Sequence, residues 1–223
     1  MSQNLDRFLH YAYSYPATLY NSYHLATGCI LNGIPGDFVE MGVAAGAQIL
    51  AFQEANVQTG ANRTIRGFDS FIGIPLAGPN DTQQPGIGDI THDKYRPEEE
   101  LLVSSGVTVH SLEQVLDHFR LAGFSTDNVV FYPGWFQHTL PTAVDEIEQI
   151  AILRLDGDLY SSTEVSLKYL YDKVVPGGYV IIDDYGSLSG CRDAVHDFFA
   201  ARGEELPELT DVDGYSVVYF KKN

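Results

Sequence analysis

Two rhythms of apolar residues alternate along this chain. Short apolar runs bounded by turn residues read as buried strands: Asp37-Phe-Val-Glu-Met41, Thr64-Ile-Arg-Gly-Phe68, Asn128-Val-Val-Phe-Tyr132, a run over 151–155 closing at Asp156, and Gly178-Tyr-Val-Ile-Ile-Asp-Asp184. A final strand is expected over 215–220, where apolar and polar positions alternate. Between these runs the spacing turns helical. Leu112, Val115, Leu116 and Phe119 mark a helix over 111–121, and others are expected over about 47–55, 143–148, 162–171 and 194–201. The first stretch, to about Leu31, is rich in Tyr and Leu and reads as helical, with breaks near Pro16 and Gly28. A Pro- and Gly-bearing loop runs from Gly73 to about Arg96 and has the character of a lid.

Alternation of strand and helix over most of the length predicts an α/β fold with a doubly wound sheet. The expected division is a helical N-terminal extension over 1–32 and one α/β domain over 33–223.

Charge narrows the function. With 30 acidic against 13 basic residues, the net charge is -17, which disfavours a nucleic-acid partner or an anionic membrane surface. No apolar run reaches the length of a membrane span. The first residues lack the basic-then-apolar order of a secretory signal, so a cytoplasmic location is expected. Cys29 and Cys191 are too few and too far apart for a disulfide framework or a zinc knuckle. A small-molecule or glycan substrate fits these exclusions. A homo-oligomer is compatible with them, although no interface is legible.

Candidate chemistry sits at strand ends. A parallel sheet delivers the C-terminal ends of its strands to one crevice, where ligands bind. Asp156, Asp158, Asp183 and Asp184 all close such strands. A single aspartate there is more often a turn or a helix cap. Four together repel one another unless a cation neutralises them, and hard carboxylates suit magnesium. Asp158 follows Gly157, which allows a sharp turn, and can accept a proton as general base. The loop after the first strand, Glu40-Met-Gly-Val-Ala-Ala-Gly46, lacks the third glycine of a dinucleotide motif. Glu40 would repel a pyrophosphate and would suit an ammonium group. Gly42 and Gly46 can equally serve only to turn strand into helix. Asp69 ends the second strand, where an acidic group accepts hydrogen bonds from ribose, and it also opens a turn. Trp135, with Tyr132 and Phe136, can stack on an adenine or pack the core. His138 is a second acid–base candidate, and Tyr160 and Tyr185 follow the acidic motifs closely enough to be candidates for an acceptor pocket. Arg154, inside a strand, can pair with a carboxylate and is assigned no catalytic part.

Five motifs in order carry a family resemblance: Phe38-Val-Glu-Met-Gly-Val-Ala-Ala-Gly46, Gly67-Phe-Asp-Ser-Phe71, Gly134-Trp-Phe136 with Thr139-Leu-Pro141, Leu153-Arg-Leu-Asp-Gly-Asp-Leu-Tyr160 and Gly177-Gly-Tyr-Val-Ile-Ile-Asp-Asp-Tyr185. Over 33–202 the chain resembles the macrocin O-methyltransferases, which methylate sugar hydroxyls of macrolide and related antibiotics. The resemblance implies a seven-stranded, mostly parallel, Rossmann-like sheet, S-adenosylmethionine as donor, and Mg2+-dependent methylation of a hydroxyl. By position it implies donor contacts from Glu40, Gly42 and Gly46, and ribose contacts from Asp69 and Ser70. It further implies an adenine edge at Trp135 and Phe136, metal ligands at Asp156, Asp183 and Asp184, and a base at Asp158. The N-terminal region is shorter than in antibiotic-tailoring members, which leaves the acceptor open. The competing readings are a nucleotide-sugar glycosyltransferase using Asp156-Gly-Asp158 as its metal motif, a nicotinamide oxidoreductase, and a non-catalytic binding module.

Overall fold

The structure is a computed structural model that describes residues 5–81 and 102–223. Seven strands form one sheet: β1 (Asp37–Met41), β2 (Ile65–Asp69), β3 (Val129–Pro133), β4 (Ile150–Leu155), β5 (Val174–Ile182), β6 (Thr210–Asp211) and β7 (Val218–Lys221). Their order is β3-β2-β1-β4-β5-β7-β6. The first five are parallel, and β7 runs antiparallel between β5 and β6. The expected doubly wound α/β sheet is therefore present.

Alternation along the strands separates two cores. Phe38, Ile65, Ile152 and Ile181 face one side of the sheet. There they meet α1 (Pro16–Leu31), α2 (Ala47–Thr59) and α3 (Leu112–Ala122) through Leu19, Tyr23, Ile49, Phe52, Val115 and Phe119. Val39, Phe68, Leu153 and Ile182 face the other side. These pack on α4 (Phe136–Ala143), α5 (Tyr160–Leu170) and α6 (Ser189–Arg202). A 3-10 turn at Leu5–Tyr11 buries Leu5 and Phe8 in the first core. Each burial contributes roughly 1.5–3 kcal/mol, enough to hold the following segment, 12–15, over the sheet. Among the described residues no helix is long and apolar enough to cross a membrane.

Local departures have local causes. Gly28 does not break α1, because its backbone is helical and Pro16 sits at the helix start, where its missing N–H costs nothing. The helix expected over 143–148 forms earlier, because Phe136, Leu140 and Ala143 make the buried stripe; only a 3-10 turn, Val144–Glu146, follows. The segment 176–178 is a bulge inside β5, where the register against β4 shifts. β7 starts late because Asp213 Oδ1 accepts the amides of Tyr215, Ser216 and Val217 and holds a turn. Of the expected lid, 82–96 lies outside the described residues. Its near stem is tied to 103–107 by a bridge between Pro75 and Ser104 and by the amide of Leu76 on the Val103 carbonyl.

Candidate active site

Strand order reverses between β1 and β4, so the crevice of this sheet opens at their C-terminal ends. Strand hydrogen bonding continues one residue beyond the ladder: the amide of Asp156 donates to the Met41 carbonyl, and that of Asp183 to the Leu155 carbonyl. Asp156 and Asp183 are thereby aligned side by side. Carboxylate oxygens of Asp156, Asp183 and Asp184 lie within 4.8 Å of one another. None of the three caps a helix: the N-cap of α5 is Leu159, and the first amide of that helix donates to Asp81 instead.

Asp158 stands beside this trio. Its amide donates to Asp184 Oδ2 at 3.2 Å, and its backbone is left-handed, with φ +61°. The sharp turn is therefore made by Asp158 and not by Gly157. Glycine at 157 is needed for space, since a Cβ there would meet Ser162 Cβ at 2.8 Å. Burial, followed by the Asp183 carboxylate, pushes the Asp158 carboxyl up to about 7. Burial and the same neighbour raise Asp156 well above the usual carboxylate range. Burial and Asp158 do the same to Asp184.

Arg154 changes the electrostatic account. Register places it directly across from Glu40 in the β1/β4 ladder. The guanidinium is 0% exposed, with Nε donating to Glu40 Oε1 at 3.2 Å and Nη2 to Asp156 Oδ2 at 2.8 Å and to Asp183 Oδ1. One arginine thus cross-links three carboxylates, leaving the second oxygens of Asp156 and Asp183 outside these bonds. An ionised group fully buried in an apolar strand must be paired, and that was the available signal for its role. Glu40 Oε2 is buried, has no hydrogen-bond partner, and belongs to a residue that borders the crevice. Burial pushes the Glu40 carboxyl up to about 8, against the pull of Arg154.

The glycine loop is shaped for close approach. Gly42 has φ +102°, and any Cβ on it would run into the Asp156 carbonyl oxygen. Asp69 holds the loop: its Oδ2 accepts the amides of Val43 and Ala44 at 2.8 and 3.0 Å, and its Oδ1 that of Phe71 at 2.6 Å. The Ser70 hydroxyl donates to the Gly73 carbonyl. Glu40, Gly42, Asp69, Ser70, Trp135, Phe136, Asp156, Asp158, Asp183 and Asp184 all border one cleft. Gly46 does not; it serves as the left-handed N-cap of α2.

The aromatic candidates separate. Phe136 is a core residue at the cleft edge, whereas Trp135 borders the same cleft, lies outside both cores and has no ring partner among the described residues. Tyr132 stacks on Phe68 at 4.2 Å and hydrogen-bonds Glu146, away from the cleft. Tyr160 donates to Asp197 and Tyr185 pairs with His196, so neither borders the cleft, and His138 is exposed outside it. The segment from Tyr11 to Ser14 was not foreseen, yet it lines the cleft. Tyr11 stacks on His118 at 3.8 Å, and the Tyr13 hydroxyl meets His110 Nε2 at 2.6 Å.

Known proteins agree with this architecture. Residues 17–222 match the family described as Macrocin-O-methyltransferase (TylF). The chain is 38% identical over 192 residues to the 8-demethyl-8-(2,3-dimethoxy-alpha-L-rhamnosyl)-tetracenomycin-C 4'-O-methyltransferase of Streptomyces olivaceus, covering 85% of this chain and 67% of that protein. It is 40% identical over 185 residues to the demethyldecarbamoylnovobiocin O-methyltransferase of Streptomyces niveus, with coverage of 82% and 64%. The chain therefore spans about two thirds of the length of these relatives. The structure of the O-methyltransferase NovP matches with a TM-score of 0.73 at 35% identity, over 92% of this chain and 79% of that one. Such kinship sets aside the glycosyltransferase, oxidoreductase and binding-module readings. With its entire sheet inside the matched span, the chain belongs to the macrocin O-methyltransferase family.

Proposed function

We propose that the protein is an S-adenosylmethionine- and Mg2+-dependent O-methyltransferase acting on a hydroxyl of a sugar or of a glycosylated small molecule. The observation that carries this reading is the convergence of Asp156, Asp183 and Asp184 beside the Gly42 loop at the reversal of strand order. In this reading 33–223 is the methyltransferase domain, and the extension 1–32 lends Tyr11 to Ser14 to its cleft.

The residues fit both groups. The unpartnered Oε2 of Glu40 suits the ammonium of the donor's methionine part. Gly42 lets that part approach the backbone. Asp69 Oδ1, with one amide on it, has capacity left for a ribose hydroxyl, and Trp135 offers a face to the adenine. Oxygen donors within 4.8 Å suit a hard divalent cation held by Asp156, Asp183 and Asp184. When bound, the donor supplies an electrophilic methyl group and the cation lowers the pKa of an acceptor hydroxyl.

This chain's residues then have distinct parts. Asp158, with its carboxyl at about 7, can take up the hydroxyl proton near neutral pH. Arg154 keeps Asp156 and Asp183 in place without occupying their outer oxygens. Much of the acceleration comes from holding two reactants in line. The test is Asp156→Asn. S-adenosylhomocysteine should still bind by calorimetry, while Mg2+-dependent methyl transfer and the Mg2+-induced rise in Tm should vanish. A wild-type protein that binds no S-adenosylhomocysteine would sink the proposal.

A further inference from the structure

Asp81 is a buried carboxylate outside the cleft. It closes the 3-10 turn Pro79–Asp81, is 1% exposed and does not border the cleft. A carboxylate taken out of water must be paired. Its Oδ2 accepts the amide of Gly78 at 3.0 Å, within its own loop. Its Oδ1 accepts the amide of Tyr160 at 2.8 Å, 79 residues further along the chain. The first bond shapes the loop after β2; the second reaches the start of α5. That helix needs the acceptor, because its N-cap is Leu159, whose side chain cannot take a hydrogen bond. A carboxylate also suits the positive end of the helix dipole. Asp81 is therefore a cap supplied by another loop, and that loop is itself braced. The amide and hydroxyl of Ser105 both donate to the Ile74 carbonyl at 2.8 Å, and the 3-10 turn packs on α6.

What the cap holds is the turn 156–160, which carries Asp156 and Asp158. The Asp156 amide ties this turn to the Met41 carbonyl at 2.8 Å, and the Asp158 amide ties it to Asp184 Oδ2 at 3.2 Å. The Tyr160 amide ties its far end to Asp81. Between these anchors Asp158 sits at φ +61°. A left-handed backbone at a residue other than glycine persists where its surroundings over-determine it. Releasing Tyr160 from Asp81 lets Asp158 relax, and its amide then leaves Asp184 Oδ2.

We propose that Asp81 is a positioning residue for the carboxylate cluster: by capping α5 from the loop after β2, it sets Asp158 against Asp184 and both against the cation site. The inference rests on the reading of Asp156, Asp183 and Asp184 as cation ligands and deepens it. Asp81 acts through the backbone of the turn, since its own carboxylate stays outside the cleft.

Mn2+, a hard cation that takes the same oxygen ligands as Mg2+, tests this without any acceptor. It is titrated into the S-adenosylhomocysteine complex while the EPR signal of the free ion is followed. Asp81→Leu keeps the volume and removes the acceptor. The Mn2+ Kd should rise about tenfold or more, the usual weight of a group that orients ligating carboxylates. Asp81→Asn should recover most of that loss, because its carboxamide oxygen still takes the Tyr160 amide while the charge and the bond to Gly78 are gone. Both variants should bind S-adenosylhomocysteine with the stoichiometry and Kd of wild type, which shows that they are folded. A Leu variant with the wild-type Mn2+ Kd overturns the proposal. An Asn variant as weak as the Leu variant also overturns it, since the effect then belongs to the charge or to Gly78. If Asp81→Leu does not fold, Asp81→Ala carries the same expectation. A wild-type protein that binds S-adenosylhomocysteine but no Mn2+ overturns the cation reading and this proposal with it. One that binds Mn2+ but no S-adenosylhomocysteine overturns the donor reading alone, and the same variants are then compared in the free protein, with thermal unfolding as the check on folding.

Discussion

Replacing Arg154 with Met should cost more stability than any other single change near the cleft. The side chain is 0% exposed and faces Glu40, Asp156 and Asp183 together. Methionine replaces the apolar stem but leaves Glu40, itself 1% exposed, without its counter-charge. Removing one partner from a buried ion network costs about 3–5 kcal/mol. For 223 residues at about 2.1 cal/mol/K each, the unfolding entropy is about 0.47 kcal/mol/K, so Tm should fall by about 6–11 °C. The pH dependence has a definite sign. Glu40 is raised to about 8 by burial, and Arg154 acts to lower it. Loss of Arg154 lifts the folded value further above the unfolded one of roughly 4.3. A carboxyl raised on folding stabilises below its unfolded pKa and loses that contribution as pH rises through the folded value. The deficit of Arg154→Met should therefore stay level between about pH 5 and about pH 7, where Glu40 keeps its proton in both folded proteins, and widen as pH rises above about 8. Scanning calorimetry in the presence of a chelator measures it without any cation. A variant within about 2 °C of wild type near neutral pH, or a deficit no larger above about pH 8 than near neutrality, refutes the reasoning.

Two further substitutions probe the backbone. Gly42→Ala strains a φ of +102° and drives a methyl into the Asp156 carbonyl; a penalty of roughly 1–2 kcal/mol from the dihedral alone should weaken S-adenosylhomocysteine binding by about tenfold or more in calorimetry. Unaltered affinity would mean that the loop does not hold the donor. Gly28→Ala places a methyl in open space on a helical backbone and should raise stability by up to about 1 kcal/mol, seen as a Tm increase of roughly 2 °C.

What could be read from the chain followed its range in sequence. Asp156, Asp158, Asp183 and Asp184 were legible because each closes an apolar run, and parallel topology gathers such ends. Arg154 was visible as an oddity in a buried strand, but its role needs Glu40, 114 residues away, and the register that sets them opposite. Tyr160 and Tyr185 follow the acidic motifs in sequence yet turn outward, because proximity along a chain does not set side-chain direction at a helix start or in a turn. Nothing local states that residues 11–15 cross the cleft; that follows from the burial of Leu5 and Phe8 beneath α2. A two-residue strand such as β6 leaves no periodicity to detect.

Position 158 places two demands on one residue. Its carboxyl faces the crevice, while its backbone sits at φ +61°, where asparagine, aspartate and glycine are most at ease. Asp158→Asn therefore removes the carboxylate at little conformational cost and isolates its chemistry. Asp158→Ala adds roughly 1–2 kcal/mol of dihedral strain and disturbs the amide that donates to Asp184, mixing two effects in one number. The same geometry narrows the routes by which this position can drift: asparagine and glycine are the accessible neighbours, and a β-branched residue is the most obstructed.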